Sequence, residues 1–376
     1  MLLSQDQEMI RDSVRAFAQA ELWPHAARWD KEHHFPRQAH RGLAALGAYG
    51  ICVPEEFGGA DLDYLTLALV LEEIAAGDGG TSTAISVTNC PVNAILLRYG
   101  NAAQKKRWLA PLAQGELLGA FCLTEPHVGS DASALRTTAT RDAEGYVING
   151  VKQFVTSGKN GDLAVVIAVT DPGAGKRGMS AFLVPTATPG YSVARLEDKI
   201  GQHSSDTAQI NFDSCRIPSD HLVGAEGEGY RIALSALEGG RIGIAAQSVG
   251  MARSAFEFAL AYAKERESFG TAIVNHQAVG FRLADCATQL EAARQLIWHA
   301  ATLRDAGRPC LKEAAMAKLF ASEMAERVCS AAIQTLGGYG YVSDFPVERI
   351  WRDVRVCQIY EGTSDVQKII IQRALA

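Results

Sequence analysis

Apolar residues over roughly the first 120 positions recur at spacings of three and four, and short Gly- or Pro-bearing stretches such as Pro54 to Gly59 punctuate them. That period predicts helices. It then shortens: Tyr146-Val147-Ile148, Phe154-Val155-Thr156, Leu163 to Val169, Ala181 to Val184 and Gln209 to Phe212 read as strands. Asn149-Gly150, between the first two, is the signal of a hairpin with a type I′ turn, which needs positive φ at both central residues. From about residue 229 the helical period returns. One helix carries the stripe Leu283, Cys286, Leu290, Ala293, Ile297 and Ala300; a second carries Met316, Phe320, Met324 and Val328 and ends near Gly337-Gly338. The expected architecture is a multi-domain α+β protein: an N-terminal all-α domain (1–120), a small middle β domain (121–228) and a C-terminal helix bundle (229–376).

Composition narrows the function classes. A chain of 376 residues is long enough for two or three domains, each with a core of its own. Hydrophobic residues at 48% and charged residues at 21% are close to the globular average, which argues against disorder. No apolar run reaches the roughly 18 residues of a membrane-spanning helix. A net charge of -6 gives no basic face for nucleic acid. The eight cysteines are scattered without a Cys-x-x-Cys pair or a zinc-like His spacing, so free thiols in a reducing compartment and no metal are expected. Asp6, Glu8 and Asp12 stand where a secretory signal would be basic and then apolar, and the protein is read as cytoplasmic.

One nucleotide-like signal fails on context. Gly173 to Gly178 fits G-x-G-x-x-G, but that fingerprint needs a helix opening at its third glycine, and Met179 to Val184 reads as another strand. A turn between strands is the better reading.

Three separated segments carry more: Phe121 to Asp131 (FCLTEPHVGSD), Lys152 to Thr156 (KQFVT) and Gln358 to Ser364 (QIYEGTS). Together with Arg266 to Gly270 (RESFG), His276-Gln277 and Gln334 to Gly338 (QTLGG), their order and spacing resemble the acyl-CoA dehydrogenase family across nearly the whole chain. Leu237 to Gln247 (LEGGRIGIAAQ) is most similar to the short-chain and short-branched-chain members. The resemblance implies FAD, an α, β, α fold of that family, a homotetramer built as a dimer of dimers, and electron-transfer flavoprotein as acceptor. It also implies work in fatty acid metabolism, in β-oxidation or branched-chain amino acid catabolism.

Carried over residue by residue, the resemblance assigns roles, each with a plain structural alternative. Phe121, Leu123, Thr124, Gly129 and Ser130 would cover the flavin ring, Ser130 also approaching the acyl-CoA; the alternative is a strand ending at a Pro turn. Phe154, Val155 and Thr156 would face the isoalloxazine, Phe154 by stacking; by default they are an ordinary strand. Arg266, with Ser268, Phe269, His276 and Gln277, would hold the pyrophosphate and the ribityl or adenosine portion. Gln334, Thr335, Leu336, Gly337 and Gly338 would reach the FAD of a neighbouring subunit, although locally they read as a helix end. Thr363 and Asp365 would complete the cofactor contacts. Glu238, Arg241 and Gly362 would contact the acyl-CoA, and residues near Thr83 to Asn93 its acyl tail. Three positions depart from the common pattern: Phe154 for tryptophan, His127-Val128 for a smaller pair, and Asp365 for a longer Gln or Glu.

Breaking the α C–H bond of a thioester needs a positioned carboxylate and donors for the developing enolate oxygen. In the family mechanism the base is Glu361, hydride goes from the β carbon to flavin N5, and the Glu361 N–H with a ribityl hydroxyl binds the thioester oxygen. Arg241 would hold the carboxylate before substrate arrives. The local alternative is capping, because Ser364 and Gln367 have capping-box spacing and acidic residues often precede a helix. An acyl-CoA oxidase, or a non-catalytic flavin-binding protein on the same fold, are the competing functions.

Overall fold

The computed structural model describes residues 2–376. Helices come first: α1 (Gln5–Phe17), α2 (Trp23–Glu32), α3 (Arg37–Ala45), α4 (Tyr64–Gly77), α5 (Gly79–Val87), α6 (Ala94–Tyr99) and the short α7 (Ala102–Gln104) and α8 (Ala110–Ala113). Their starts are written in the sequence. Ser4 and Gln7 form a capping box on α1, and the carboxylates of Asp63 and Asp78 accept N–H bonds at the starts of α4 and α5.

Strands follow: β1 (Gly119–Cys122), β2 (Thr138–Arg141), β3 (Gly145–Thr156), β4 (Leu163–Val169), β5 (Met179–Pro185), β6 (Tyr191–Leu196), β7 (Thr207–Pro218) and β8 (Leu222–Val223). Among the described residues these form one sheet in the order β6-β7-β3-β2-β4-β5-β8, with β1 pairing parallel to β4. β4 is buried on both faces, which is why it reads as an unbroken apolar run. Leu163, Val165 and Ile167 face α6, α8 and the helix beginning at Gly229, whereas Ala164, Val166 and Ala168 join the inner face of β3, β5 and β7. Residues 172–178 form a short turn between the antiparallel β4 and β5, in keeping with the rejection of a dinucleotide fingerprint there.

The expected Asn149-Gly150 hairpin does not form. Both residues lie inside the single twelve-residue β3, at a bulge where the register against β7 slips between Ile148 and Gly150. Gly150 has φ 146°, and a Cβ there would lie 2.5 Å from Thr137 Oγ1. Asn149 spends its Oδ1 on the Ser214 N–H. The glycine serves a bulge, and the actual β2–β3 turn is closed by the Asp142 carboxylate accepting from the N–H groups of Glu144 and Gly145.

The chain then returns to helices: α9 (Gly229–Glu265), the small hairpin β9 (Glu267–Ser268) and β10 (Thr271–Ala272), α10 (Gln277–Asp305), α11 (Leu311–Leu336), α12 (Pro346–Val354) and α13 (Ser364–Leu375). The predicted stripe from Leu283 to Ala300 is buried throughout. That of α11 is displaced: Met316 is 38% exposed, and the buried face is built from Ala314, Ala317, Ala321, Met324, Ala325 and Val328. The helical ends of the chain also do not have separate cores. Residues of α1 and α4 share one apolar cluster with α9, α10, α11 and α12. All eight cysteines are free. No helix among the described residues is long and apolar enough to cross a membrane.

Candidate active site

Between Gln358 and α13 the chain makes a tight turn with Glu361 at φ 55° and Gly362 at φ 93°. A left-handed glutamate costs roughly 1–3 kcal/mol and persists only where its surroundings fix it. Here both carbonyls of the turn are held by buried donors. Gln367 Nε2 donates to Glu361 O (3.2 Å) and Gly362 O (2.8 Å), and Lys318 Nζ donates to Gly362 O (2.8 Å). The Ser364–Gln367 capping box is therefore absent. Thr363 is the N-cap, its hydroxyl accepting from Val366 N–H at 3.3 Å, Ser364 Oγ has no partner, and Gln367 is turned to the Glu361–Gly362 carbonyls instead.

The Glu361 side chain lies against Gly240 of α9, where a Cβ would stand 2.6 Å from Oε2 and 2.9 Å from Cδ. Only a glycine leaves this space. Oε2 is buried without a hydrogen-bond partner. Desolvation pushes the Glu361 pKa up to about 7, against the opposing attraction of Arg241 and Lys318. Arg241 is buried, its Nε and Nη1 also unpartnered, and it attracts the Glu361 carboxylate without forming an ion pair with it. Burial lowers its pKa while Glu361 and Glu238 oppose that shift. Glu238, one turn earlier, faces α10 and pairs with Arg304 at 3.0 Å. The Arg304 guanidinium in turn lies 4.2 Å from the Tyr64 ring centroid. Thr83 to Asn93 covers the end of α5 and the wide turn after it, buried against α9. Ser86 Oγ and Cys90 Sγ come within 2.8 and 3.1 Å of the place a Cβ on Gly243 would take, three residues along from Gly240.

A second group gathers around β1 and β3. Phe121, Leu123 and Thr124 are half-buried, whereas Gly129 and Ser130 are exposed at the tip of the loop. The turn is braced from beneath by the fully buried Lys152, which donates to Leu123 O at 3.0 Å and to Glu125 Oε1 at 2.9 Å. Glu125 also accepts from the N–H groups of Arg136 and Thr137, and Gln153 N–H donates to Thr124 O. Burial opposes the Glu125 charge, but Lys152 and these donors outweigh it and hold the carboxyl below its usual range. His127 sits at the rim, 3.7 Å from Glu125. Phe154 occupies a second β3 bulge with φ 56° and is 63% exposed, although Val155 beside it is buried. A large aromatic held outward on a left-handed backbone offers a stacking face.

The third group stands apart, with no hydrogen bond or ion pair to the second among the described residues. Arg266 ends α9, and Phe269 and Gly270, both with positive φ, turn the β9–β10 hairpin. Phe269 is 96% exposed. His276 shares a 3.1 Å hydrogen bond with Ser268 O and precedes the exposed Gln277 at the start of α10. The Arg266 guanidinium lies 5.9 Å from the Tyr339 ring, beside the end of α11. There Gln334, Gly337 and Gly338 are exposed, while Thr335 and Leu336 are buried. Asp365 is exposed in the first turn of α13. Sequence reasoning missed Lys318 and the Lys152–Glu125 brace, took Gln367 for a capping residue and read Gly240 only as permitting close packing. It also missed a buried chain in which Thr83 Oγ1 bonds Gln202 and Gln247, and Tyr360 OH donates to Gln247 Oε1.

Three family profiles match the chain: acyl-CoA dehydrogenase N-terminal domain over residues 4–116, middle domain over 120–215 and C-terminal domain over 227–376. The human short-chain specific acyl-CoA dehydrogenase, mitochondrial, is 45% identical over 369 residues, 98% of this chain and 90% of its own. A chain in the structure described as the electron transferring flavoprotein of Acidaminococcus fermentans matches with a TM-score of 0.99 at 45% identity, covering 100% of this chain and 99% of that one. Butyryl-CoA dehydrogenase from Megasphaera elsdenii matches with a TM-score of 0.98 at 38% identity, covering 100% and 99%. The chain belongs to the acyl-CoA dehydrogenase family, FAD-dependent oxidoreductases acting on the CH–CH bond of an acyl-CoA.

Proposed function

We propose that this protein converts short straight or 2-methyl-branched acyl-CoA to the trans-2-enoyl-CoA, with Glu361 as base and electron-transfer flavoprotein as acceptor. The observation that carries the reading is the Glu361 carboxyl itself: buried, unpartnered at Oε2 and seated on Gly240, where burial pushes its pKa up to about 7. A base with its pKa near the working pH is ionised in about half the molecules and keeps a high proton affinity. The butyryl-CoA dehydrogenase and the human short-chain relative support a short acyl chain. The structure described as an electron transferring flavoprotein supports the acceptor.

The residues fit FAD. Phe154 presents an exposed ring, nothing lies within 4 Å of a Cβ placed on Gly129, Ser130 beside it is exposed and Thr124 is half-buried. Phe121, Leu123, Thr124, Gly129, Ser130 and Phe154 to Thr156 would hold the flavin, with Thr363 and Asp365 beyond it. FAD, when bound, supplies at N5 the acceptor for the β-hydride. Glu361 takes the α proton. Its own N–H donates to no acceptor among the described residues and is free for the thioester oxygen. Gly362, Arg241 and Glu238 would lie along the acyl-CoA.

Arg266, Ser268, Phe269, His276 and Gln277 would hold the pyrophosphate and the ribityl or adenosine portion, and Gln334 to Gly338 would reach the FAD of a neighbouring subunit. Phe269, Phe281 and Tyr341 are 96%, 68% and 88% exposed, and a homotetramer would offer them cover. A cytoplasmic location completes the proposal.

The test is anaerobic mixing of FAD-loaded protein with butyryl-CoA. Wild type should bleach; Glu361→Gln should bind, perturb the flavin spectrum and bleach slower by about 10⁴-fold or more. An unimpaired bleaching rate removes Glu361 as base. Stoichiometric peroxide without added acceptor points to an oxidase instead.

A further inference from the structure

A lysine with no exposed surface is unusual, because burying an ammonium costs several kcal/mol unless it is matched. Lys318 of α11 is one, and no carboxylate lies within ion-pair distance of it among the described residues. Its Nζ reaches a single acceptor, the Gly362 carbonyl, at 2.8 Å. We propose that Lys318 is a positioning residue for the catalytic turn, fixing the left-handed Glu361–Gly362 backbone through that carbonyl and supplying the positive charge that favours an ionised Glu361. The inference rests on the reading of Glu361 as base and deepens it.

The geometry supports both halves. Two consecutive residues with positive φ turn their carbonyls into the bundle, and each meets a buried amine or amide donor, Lys318 from α11 and Gln367 from α13. Neither donor is needed by its own helix. The charged groups that act on Glu361 come from two sides, Arg241 on α9 and Lys318 on α11, and Glu361 in turn helps to keep the Cys90 thiol after α5 protonated. Lys318 in turn faces Cys357, Glu361 and Glu323, with Arg241 as the repelling neighbour. Burial lowers its pKa to about 8, so it stays protonated at neutral pH and its charge bears on the carboxylate. A side chain that merely filled the space would give the turn neither a donor nor a charge.

The experiment separates donor from charge. FAD-loaded wild type, Lys318→Met, Lys318→Arg and Gln367→Met are mixed anaerobically with butyryl-CoA from pH 5.5 to 9, and the rate of flavin bleaching is divided by the apparent Kd. Lys318→Met should bleach roughly 10- to 100-fold more slowly at pH 7, as expected for a displaced base. Its acid limb should move up by about one pH unit, because the carboxylate loses a nearby positive charge. Lys318→Arg should keep the acid limb of wild type. Gln367→Met should slow bleaching with its acid limb unmoved.

A folded, FAD-loaded Lys318→Met with the wild-type rate and limb would overturn the proposal, as would a slowed Lys318→Met whose limb stays in place. If Lys318→Met does not accumulate, the other two variants decide: a shifted limb in Lys318→Arg or an unchanged rate in Gln367→Met refutes it. Glu361→Gln is run alongside. If it bleaches normally, the base assignment has failed; if it is inert while Lys318→Met behaves as wild type, only the Lys318 role has.

Discussion

Removing the Glu361 carboxylate should make this protein more stable. The pKa of Glu361 is raised from 4.5 to about 7 by burial, so the folded state binds its proton more tightly than the unfolded chain does. The sign follows: stability is highest when Glu361 is protonated and is lost as pH rises from about 4.5 towards 7. With each pKa unit worth about 1.4 kcal/mol, the ionised carboxylate costs about 3 kcal/mol at pH 8 and about 1 kcal/mol at pH 5.5. These are upper limits, because the residue as a whole is only half-buried. Glu361→Gln keeps the shape and removes the ionisation. At matched concentration and FAD content its urea midpoint should exceed that of wild type at pH 8, and the gain should shrink by more than half at pH 5.5. A variant no more stable than wild type at pH 8, or with a gain independent of pH, would show that Glu361 is not held in an unfavourable ionised state.

Two further substitutions probe the supports of the site. Gly240→Ala should leave folding and FAD content intact, since alanine favours a helix interior by about 1 kcal/mol. Its Cβ would fall 2.6 Å from Glu361 Oε2, so flavin reduction by butyryl-CoA should drop by about 10²-fold; a wild-type rate would mean that the carboxylate has room elsewhere. Lys152→Met strands the buried Glu125 carboxylate and should cost about 3–5 kcal/mol, with faster FAD loss on dialysis. The double variant with Glu125→Gln should recover part of that stability, and a strictly additive double-mutant cycle would refute the brace.

Much of the fold is legible in the sequence because period marks the buried face wherever bulky residues line it. The stripe from Leu283 to Ala300 lies inward as its spacing of three and four requires. Local chemistry reads less well where partners are remote. Asn149-Gly150 has the composition of a hairpin turn, but the strand continues through it to pair with β7, sixty residues on, and the glycine serves a bulge beside Thr137. Ser364 and Gln367 have capping-box spacing, yet Gln367 is taken by the carbonyls of Glu361 and Gly362. In both cases a tertiary partner outcompetes the local one.

The supports of Glu361 were hidden by a related error of face. A helix advances about 100° per residue, and a stripe of Met316, Phe320, Met324 and Val328 puts Lys318 on the far side, where a lysine looks like an ordinary solvated residue. The buried face is instead centred on Ala314, Ala317, Ala321 and Ala325, with Met324 and Val328 at one margin. On that face Lys318 follows Ala314 by four and precedes Ala321 by three, inside the core. The signal was therefore present as a charge in register with small residues. It reads as noise while bulk is taken as the mark of burial, and it becomes legible once the close packing of α11 against α9 makes alanine the buried residue. That same closeness brings the lysine within reach of the Gly362 carbonyl.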